Sequence, residues 1–297
     1  MAKKVLITGA FGLLGEAVVK ALEHTFQLLA TGENIPDEVP YICDIQSLDI
    51  IDKNRVKDVI HTFYPDIVVN LAAYTNVDGC ERNKELAWNI NVKGVQNILE
   101  SIRNSQTKII HISTDYVFDG KDGPYYEDAV PNPINYYGRT KLASENEIRG
   151  SQNPHVIFRT NVLFGNSARN KPNFVDWVVK ALKEKNEIKV VTDQINNPTW
   201  INGLAEAIKL AILLDVRGLF NYGGSEFLNR FEFAQKIALV FEVDQSTIKP
   251  VLTKELNQAA DRPLNSGLLT EKIEETFGLR LYNIEYCLKK MKEGINV

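Results

Sequence analysis

The opening fifteen residues constrain this chain more than any other stretch. An apolar run at residues 5–8 leads straight into Gly9-Ala10-Phe11-Gly12-Leu13-Leu14-Gly15, and a helical pattern over residues 13–24 follows. Glycines at the spacing G-x-x-G-x-x-G let the chain turn sharply and let a pyrophosphate approach with no Cβ in its way. The helix behind them aims unpaired N–H groups at the anion. The spacing alone is weak, because glycine-rich turns are common and a tight βα turn needs no ligand. Its position after a strand and at the start of a helix makes Gly9, Gly12 and Gly15 candidates for holding a dinucleotide.

The alternation continues beyond the loop. Compact apolar runs at residues 27–30, 67–71 and 108–113 suit strands buried on both faces, and residues 51–63 and 88–104 between them suit helices. This order predicts an α/β fold, a Rossmann-type doubly wound parallel sheet. The second half is less regular. Residues 170–173 and 193–199 are polar and proline-punctuated and read as loops, whereas 174–184, 204–214, 230–241 and 283–291 carry helical spacing. The expected division is a nucleotide-binding Rossmann domain over residues 1–160 and a smaller, mostly helical substrate-binding part over 161–297. With no linker between them, the two should be interleaved.

Composition narrows the function classes. The 297 residues are 44% hydrophobic and 24% charged, enough to bury a sizeable core, and the formal net charge of -4 gives no electrostatic reason to expect nucleic acid or an anionic membrane as partner. No segment approaches the roughly 20 apolar residues that span a bilayer, and the short run before Gly9 is no signal-peptide core. Cys43, Cys80 and Cys287 form no paired motif, and His24, His61, His111 and His155 have no metal-ligand spacing. Neither a disulfide framework nor a metal site is expected, and a reducing cytoplasm is the natural compartment. Trp88, Trp177 and Trp200 read as packing residues.

The chemistry concentrates in two segments. Tyr137-Gly138-Arg139-Thr140-Lys141 puts a phenol and an ammonium on one helix face. A phenol ordinarily titrates near pH ~10, and a neighbouring lysine charge lowers that value. The pair therefore suits proton delivery to a carbonyl oxygen as hydride reaches carbon. Y-x-x-x-K is common by chance and often only a surface pair, so context decides. Upstream, the strand at 109–113 ends in Thr114-Asp115-Tyr116. Ligands bind beyond the carboxyl ends of such strands, which would set the Thr114 hydroxyl beside the phenol. Ser113 is the near competitor, and alternation does not separate the two. For the cofactor, Glu33 is the acidic residue after the second strand, and no Lys or Arg occurs between Lys20 and Lys53. That favours NADH while leaving NADPH open, because a basic residue can arrive from elsewhere in the fold. A solvated loop carboxylate is the other reading of Glu33.

Together these segments resemble the extended short-chain dehydrogenases, and within them the dTDP-4-dehydrorhamnose reductase family. The resemblance runs over nearly the whole chain: residues 9–15, Asn70-Leu71-Ala72-Ala73-Tyr74-Thr75-Asn76-Val77-Asp78, Ser113-Thr114-Asp115-Tyr116-Val117-Phe118-Asp119-Gly120, Tyr137 to Lys141, and Asp261-Arg262-Pro263-Leu264-Asn265-Ser266. It implies that Thr114, Tyr137 and Lys141 are the catalytic residues, with Tyr137 the proton donor and Lys141 also on the nicotinamide ribose. It implies that NAD(P)H meets Phe11, Leu13 and Leu14 at the pyrophosphate, Asp44 and Ile45 at the adenine, and Ala72, Ala73 and Tyr74 along its flank. The substrate would be a nucleotide sugar contacting Thr114, Asp115 and Tyr116, with Asn173 and Arg262 towards the nucleotide. Arg262 suits a diphosphate because its fork can bond two oxygens; a structural ion pair is its other reading. A homodimer is left open.

The departures from the family lie at the substrate end. Val162 stands where a tryptophan is usual, and asparagines occupy positions 196, 197 and 202. These keep the reaction type and put the particular sugar in question. Two other functions compete. A nucleotide-sugar epimerase or dehydratase shares the scaffold, but dehydratases usually carry Asp-Glu after the threonine, and here Tyr116 follows Asp115. A non-catalytic regulatory subunit resembling the methionine adenosyltransferase partner is the other.

Overall fold

The computed structural model describes residues 2–167 and 172–294, so residues 170 and 171 of the expected 170–173 loop lie outside the described residues. The apolar runs pair as one parallel sheet: β1 (Lys4–Thr8), β2 (Gln27–Gly32), β3 (Asp44–Ser47), β4 (Ile67–Asn70), β5 (Lys108–Thr114), β6 (His155–Thr160) and a last strand, Gly218–Tyr222. In space the order is Gly218–Tyr222, β6, β5, β4, β1, β2, β3. The order therefore reverses between β1 and β4, the point outside which such sheets bind ligands.

Eleven labelled helices surround this sheet or follow it: α1 (Leu13–Leu22), α2 (Lys53–Phe63), α3 (Val77–Arg82), α4 (Lys84–Trp88), α5 (Gly94–Ser101), α6 (Tyr136–Gly150), α7 (Phe174–Lys183), α8 (Ile201–Leu213), α9 (Arg230–Phe241), α10 (Glu271–Phe277) and α11 (Ile284–Lys292). Strand residues alternate between two cores. Val5 and Ile7 pack with α1, α8 and α10, while Leu6 and Val68 pack with α2 and α5. All four strand residues are fully buried. Burying one such side chain contributes roughly 1.5–3 kcal/mol, so coverage on both faces is what holds the sheet together. A third core joins α7, α9 and α11 to the paired strands Ile188–Val191 and Ile248–Val251. The chain after residue 160 thus builds that third core and also supplies α8, α10 and the last sheet strand. No helix is long and apolar enough to cross a membrane among the described residues.

Three local readings change. The helix expected over 88–104 is α4, a π turn at Asn89–Lys93, and α5. Residues 193–199 are not wholly loop, since Ile195–Asn196 and Thr199–Trp200 each form a short strand pair. β3 gave no apolar run because it is an edge strand, with Asp44 and Ser47 exposed.

Candidate active site

The glycine loop is shaped by two close approaches. Gly9 has φ +67°, and a Cβ there would lie 2.7 Å from the Ala72 amide nitrogen; one at Gly15 would lie 2.3 Å from the Gly9 carbonyl oxygen. Those two glycines let the loop turn and pack on the chain leaving β4. Gly12 differs, since a Cβ there meets only the Gly9 oxygen, at 3.3 Å. It is the N-cap of α1 with no side-chain cap among the described residues, which leaves the amides around Leu13 and Leu14 available for an anion. Phe11 lies on Gly32 and stacks with Tyr41, ring centroids 6.2 Å apart. Glu33 follows β2 and is exposed, and Ala72, Ala73 and Tyr74 follow β4 half-buried. This cradle fits a nicotinamide dinucleotide. Gly12→Leu should therefore fold with an unchanged melting temperature yet bind NAD(P)H at least ~10-fold more weakly, about 1.4 kcal/mol. Unchanged affinity in a fluorescence titration would reduce the loop to a turn.

Asp44 and Ile45 do not reach this cradle. They open β3, opposite Leu29 and Ala30, at the end of the strand away from the loop. The carboxyl end of β3 instead delivers Asp49 and Ile50. The Asp49 carboxylate accepts from the Ile51 amide at 2.9 Å, and Ile50 is buried with its carbonyl bonded by Asn97. A second Asp-Ile pair five residues downstream was the signal, and the exposed strand between the two hid it.

Thr114 and Tyr137 meet because α6 comes down on the turn after β5. A Cβ at Gly138 would fall 2.0 Å from the Tyr116 carbonyl oxygen, so only glycine allows that approach. Asn135 caps α6 by accepting from the Gly138 amide at 2.8 Å, and donates to the Asp261 carbonyl at 2.9 Å. The Thr114 hydroxyl donates to Asp115 Oδ1 at 3.0 Å, accepts from the Tyr116 amide at 3.2 Å, and acts on the nearby Tyr137 phenol to lower it against its burial. Ser113 is bonded instead to Glu145, which forms a buried ion pair with Arg159 at 2.8 Å. The two hydroxyls thus have different partners, Ser113 the buried Glu145 and Thr114 the Asp115 carboxylate.

The electrostatics differ from the simple phenol–ammonium picture. Burial, then the charge of Asp115, pushes the Tyr137 phenol above its ordinary range. Lys141 is buried, and its Nζ lies 3.1 Å from His111 Nε2. Burial lowers the lysine to about 8, opposed by Glu145. Burial also raises Asp115 to about 6, against hydrogen bonds from Ser266 and Thr114. Neutral-range proton affinity therefore resides in Lys141 and Asp115, whereas the phenol holds its proton tightly.

A cleft of about 340 Å³ opens beside Tyr116, lined also by Val162, Phe174, Trp177, Arg230 and Arg262. Trp177 is exposed, at 41%, and tilts on Phe174 rather than packing inside. Trp200 is buried among aromatic rings. Arg262 Nη1 pairs with Asp78 at 2.6 Å, joining two motifs far apart in sequence and holding the aspartate low. Asn173 does not serve the cleft: it caps α7, accepting from the Val175 and Asp176 amides and donating to the Gly165 carbonyl. Arg230 was missed because its segment read only as a helix start. Its Nη1 is buried with no hydrogen-bond partner among the described residues. Asn197 is also explained, since it binds Asn161 at 2.7 Å and the Leu268 backbone in a buried network.

Residues 3–296 match the family described as RmlD substrate binding domain. The chain belongs to that family. Among relatives of this RmlD-family chain, the dTDP-4-dehydrorhamnose reductase of Aggregatibacter actinomycetemcomitans is 31% identical over 303 residues, covering 97% of this chain and 98% of that protein. Methionine adenosyltransferase 2 subunit beta of Danio rerio is 32% identical over 279 residues, covering 92% and 84%. The solved dTDP-4-dehydrorhamnose reductase of Bacillus anthracis, in complex with NADP, gives a TM-score of 0.86 at 31% identity, covering 99% of this chain and all of that one.

Proposed function

We propose that this chain uses NAD(P)H to reduce the 4-keto group of a nucleotide-linked 4-keto-6-deoxy sugar, as a dTDP-4-dehydrorhamnose reductase does. The observation that carries the reading is Tyr137 and Lys141 four residues apart on α6, which packs on the turn after Thr114, together with a glycine-rich cradle after β1 and an arginine-lined cleft beside Tyr116. The dinucleotide, when bound along Gly9–Gly15, Glu33, Asp49, Ile50 and Ala72–Tyr74, supplies the hydride. Tyr137 gives its proton to the carbonyl oxygen that Thr114 orients. Lys141 replenishes that proton. The unpartnered Nη1 of Arg230 suits the diphosphate, and Arg262, whose Nη1 is held by Asp78 and the Ala260 carbonyl, lines the same cleft, which leaves Val162 and Trp177 beside the sugar and base. Tyr116 after Asp115 disfavours a dehydratase. Residues 1–160 then form the cofactor side and the rest chiefly the substrate side. Three free cysteines fit a cytoplasmic setting.

With valine at 162, the sugar pocket is expected to be roomier than in a rhamnose-forming reductase. Comparing kcat/KM for dTDP-4-dehydro-L-rhamnose with UDP- and GDP-linked 4-keto sugars tests both points. A preference for the first above ~100-fold, about 2.7 kcal/mol, contradicts the open pocket. If none is reduced with either cofactor, the reductase reading fails and a non-catalytic subunit replaces it.

A further inference from the structure

A row of buried polar side chains crosses the sheet behind the site, and the reaction as described makes no use of it. Thr8, Asn70 and His111 stand in register on β1, β4 and β5, and His111 continues to Lys141 and Ser144 on α6. All five are buried, none above 2% exposed. A polar row through the middle of a parallel sheet costs desolvation unless every group is paired, and here each one is.

We propose that His111 is a positioning residue for Lys141: fixed as its Nε2–H tautomer, it holds the lysine Nζ and stabilises the amine form. The donor inventory sets the tautomer. Thr8 Oγ1 donates to Asn70 Oδ1 at 2.6 Å, so the amide turns its Nδ2 to His111 Nδ1, 3.0 Å away. Nδ1 must then accept, which puts the ring proton on Nε2. The other side agrees: Ser144 spends its hydroxyl proton on the Lys141 carbonyl at 2.7 Å and so offers none to Nε2, 3.2 Å away. An Nε2–H facing Nζ at 3.1 Å is a good partner for an amine and a poor one for an ammonium. Burial keeps the imidazole itself neutral.

The consequence rests on the reductase reading above. When Tyr137 loses its phenolic proton to the carbonyl oxygen, Lys141 can return one from its ammonium, and the amine left behind is the form that His111 receives. Other groups face this pair. Glu145 on α6 favours the ammonium, but its charge is compensated by Arg159 of β6. Asp115 and Tyr116 after β5, and Cys80 of α3, act on Tyr137. The remaining contacts, Thr8, Asn70 and Ser144, do not titrate.

Two measurements test this. In protein labelled with ¹⁵N-histidine, with the His111 signals assigned by their loss in His111→Gln, the ring should show a protonated Nε2 and a bare Nδ1 from pH 5 to 8. A protonated Nδ1, or an imidazolium near pH 6, overturns the proposal whether or not any substrate is turned over. In the reductase assay, Gln at 111 can turn a carbonyl to Nζ, and Asn70→Asp forces the proton onto Nδ1. Both favour the ammonium, so both should move the alkaline limb of the kcat profile up by about one pH unit, while KM for NAD(P)H changes less than ~3-fold. A uniform loss of rate with the limb unmoved in Asn70→Asp marks His111 as packing only and overturns the proposal. Failure of the wild type to reduce any sugar instead overturns the reductase reading, and the labelled spectra still decide on His111.

Discussion

Replacing Tyr137 by phenylalanine is expected to lower turnover by ~10²–10⁴ while leaving NAD(P)H binding nearly intact. In the proposed reaction the phenol is the acid, and burial together with Asp115 keeps it protonated through the neutral range. Phenylalanine keeps the ring, its edge contact with Tyr116 at 6.1 Å and the close approach at Gly138. The loss should therefore be chemical and not structural. Single-turnover oxidation of bound NAD(P)H, followed by absorbance, reads that step directly; a wild-type rate there removes Tyr137 from the mechanism.

The largest effect on stability is expected from Arg159. Its guanidinium binds both carboxylate oxygens of Glu145, at 3.0 and 2.8 Å, donates to the Glu127 carbonyl and lies over the Phe118 ring. Neither partner of the pair is more than 1% exposed. Arg159→Ala leaves the Glu145 charge buried without its partner, a loss of about 3–5 kcal/mol. Replacing both residues with apolar ones of similar volume should recover much of that. Urea denaturation of the three proteins checks the claim, and a single-variant loss below about 1 kcal/mol contradicts it.

What the sequence disclosed was what short segments determine. The glycine loop, the Tyr137–Lys141 spacing and the strand leading to Thr114 each lie within a few residues, and each is found in the place its pattern implied. Position-specific roles that depend on distant chain were not readable. Asp44 and Ile45 looked right until the pairing of β3 with β2 put them at the wrong end of the strand. Asn173 looked free for substrate until the helix it caps claimed its side chain. The neighbour of Lys141 that matters, His111, is thirty residues upstream and on another element. Arg230 and the Glu145–Arg159 pair carry no local signal, because charged residues are ordinary at helix starts and within amphipathic patterns.

The position of Gly218–Tyr222 bears on how the protein is made. This strand pairs with β6 along its length, yet the intervening chain builds α7, α8 and several short strands before returning. During synthesis β6 therefore emerges with one hydrogen-bonding edge uncovered, and its own partner does not exist until residue 222 of 297 has been made. An apolar edge of that kind is a template for pairing with other chains. Contacts this far apart in sequence also close slowly. Until that last strand is in place the sheet keeps an uncovered edge at β6, and intermediates with unpaired strand edges are the ones most exposed to misassembly.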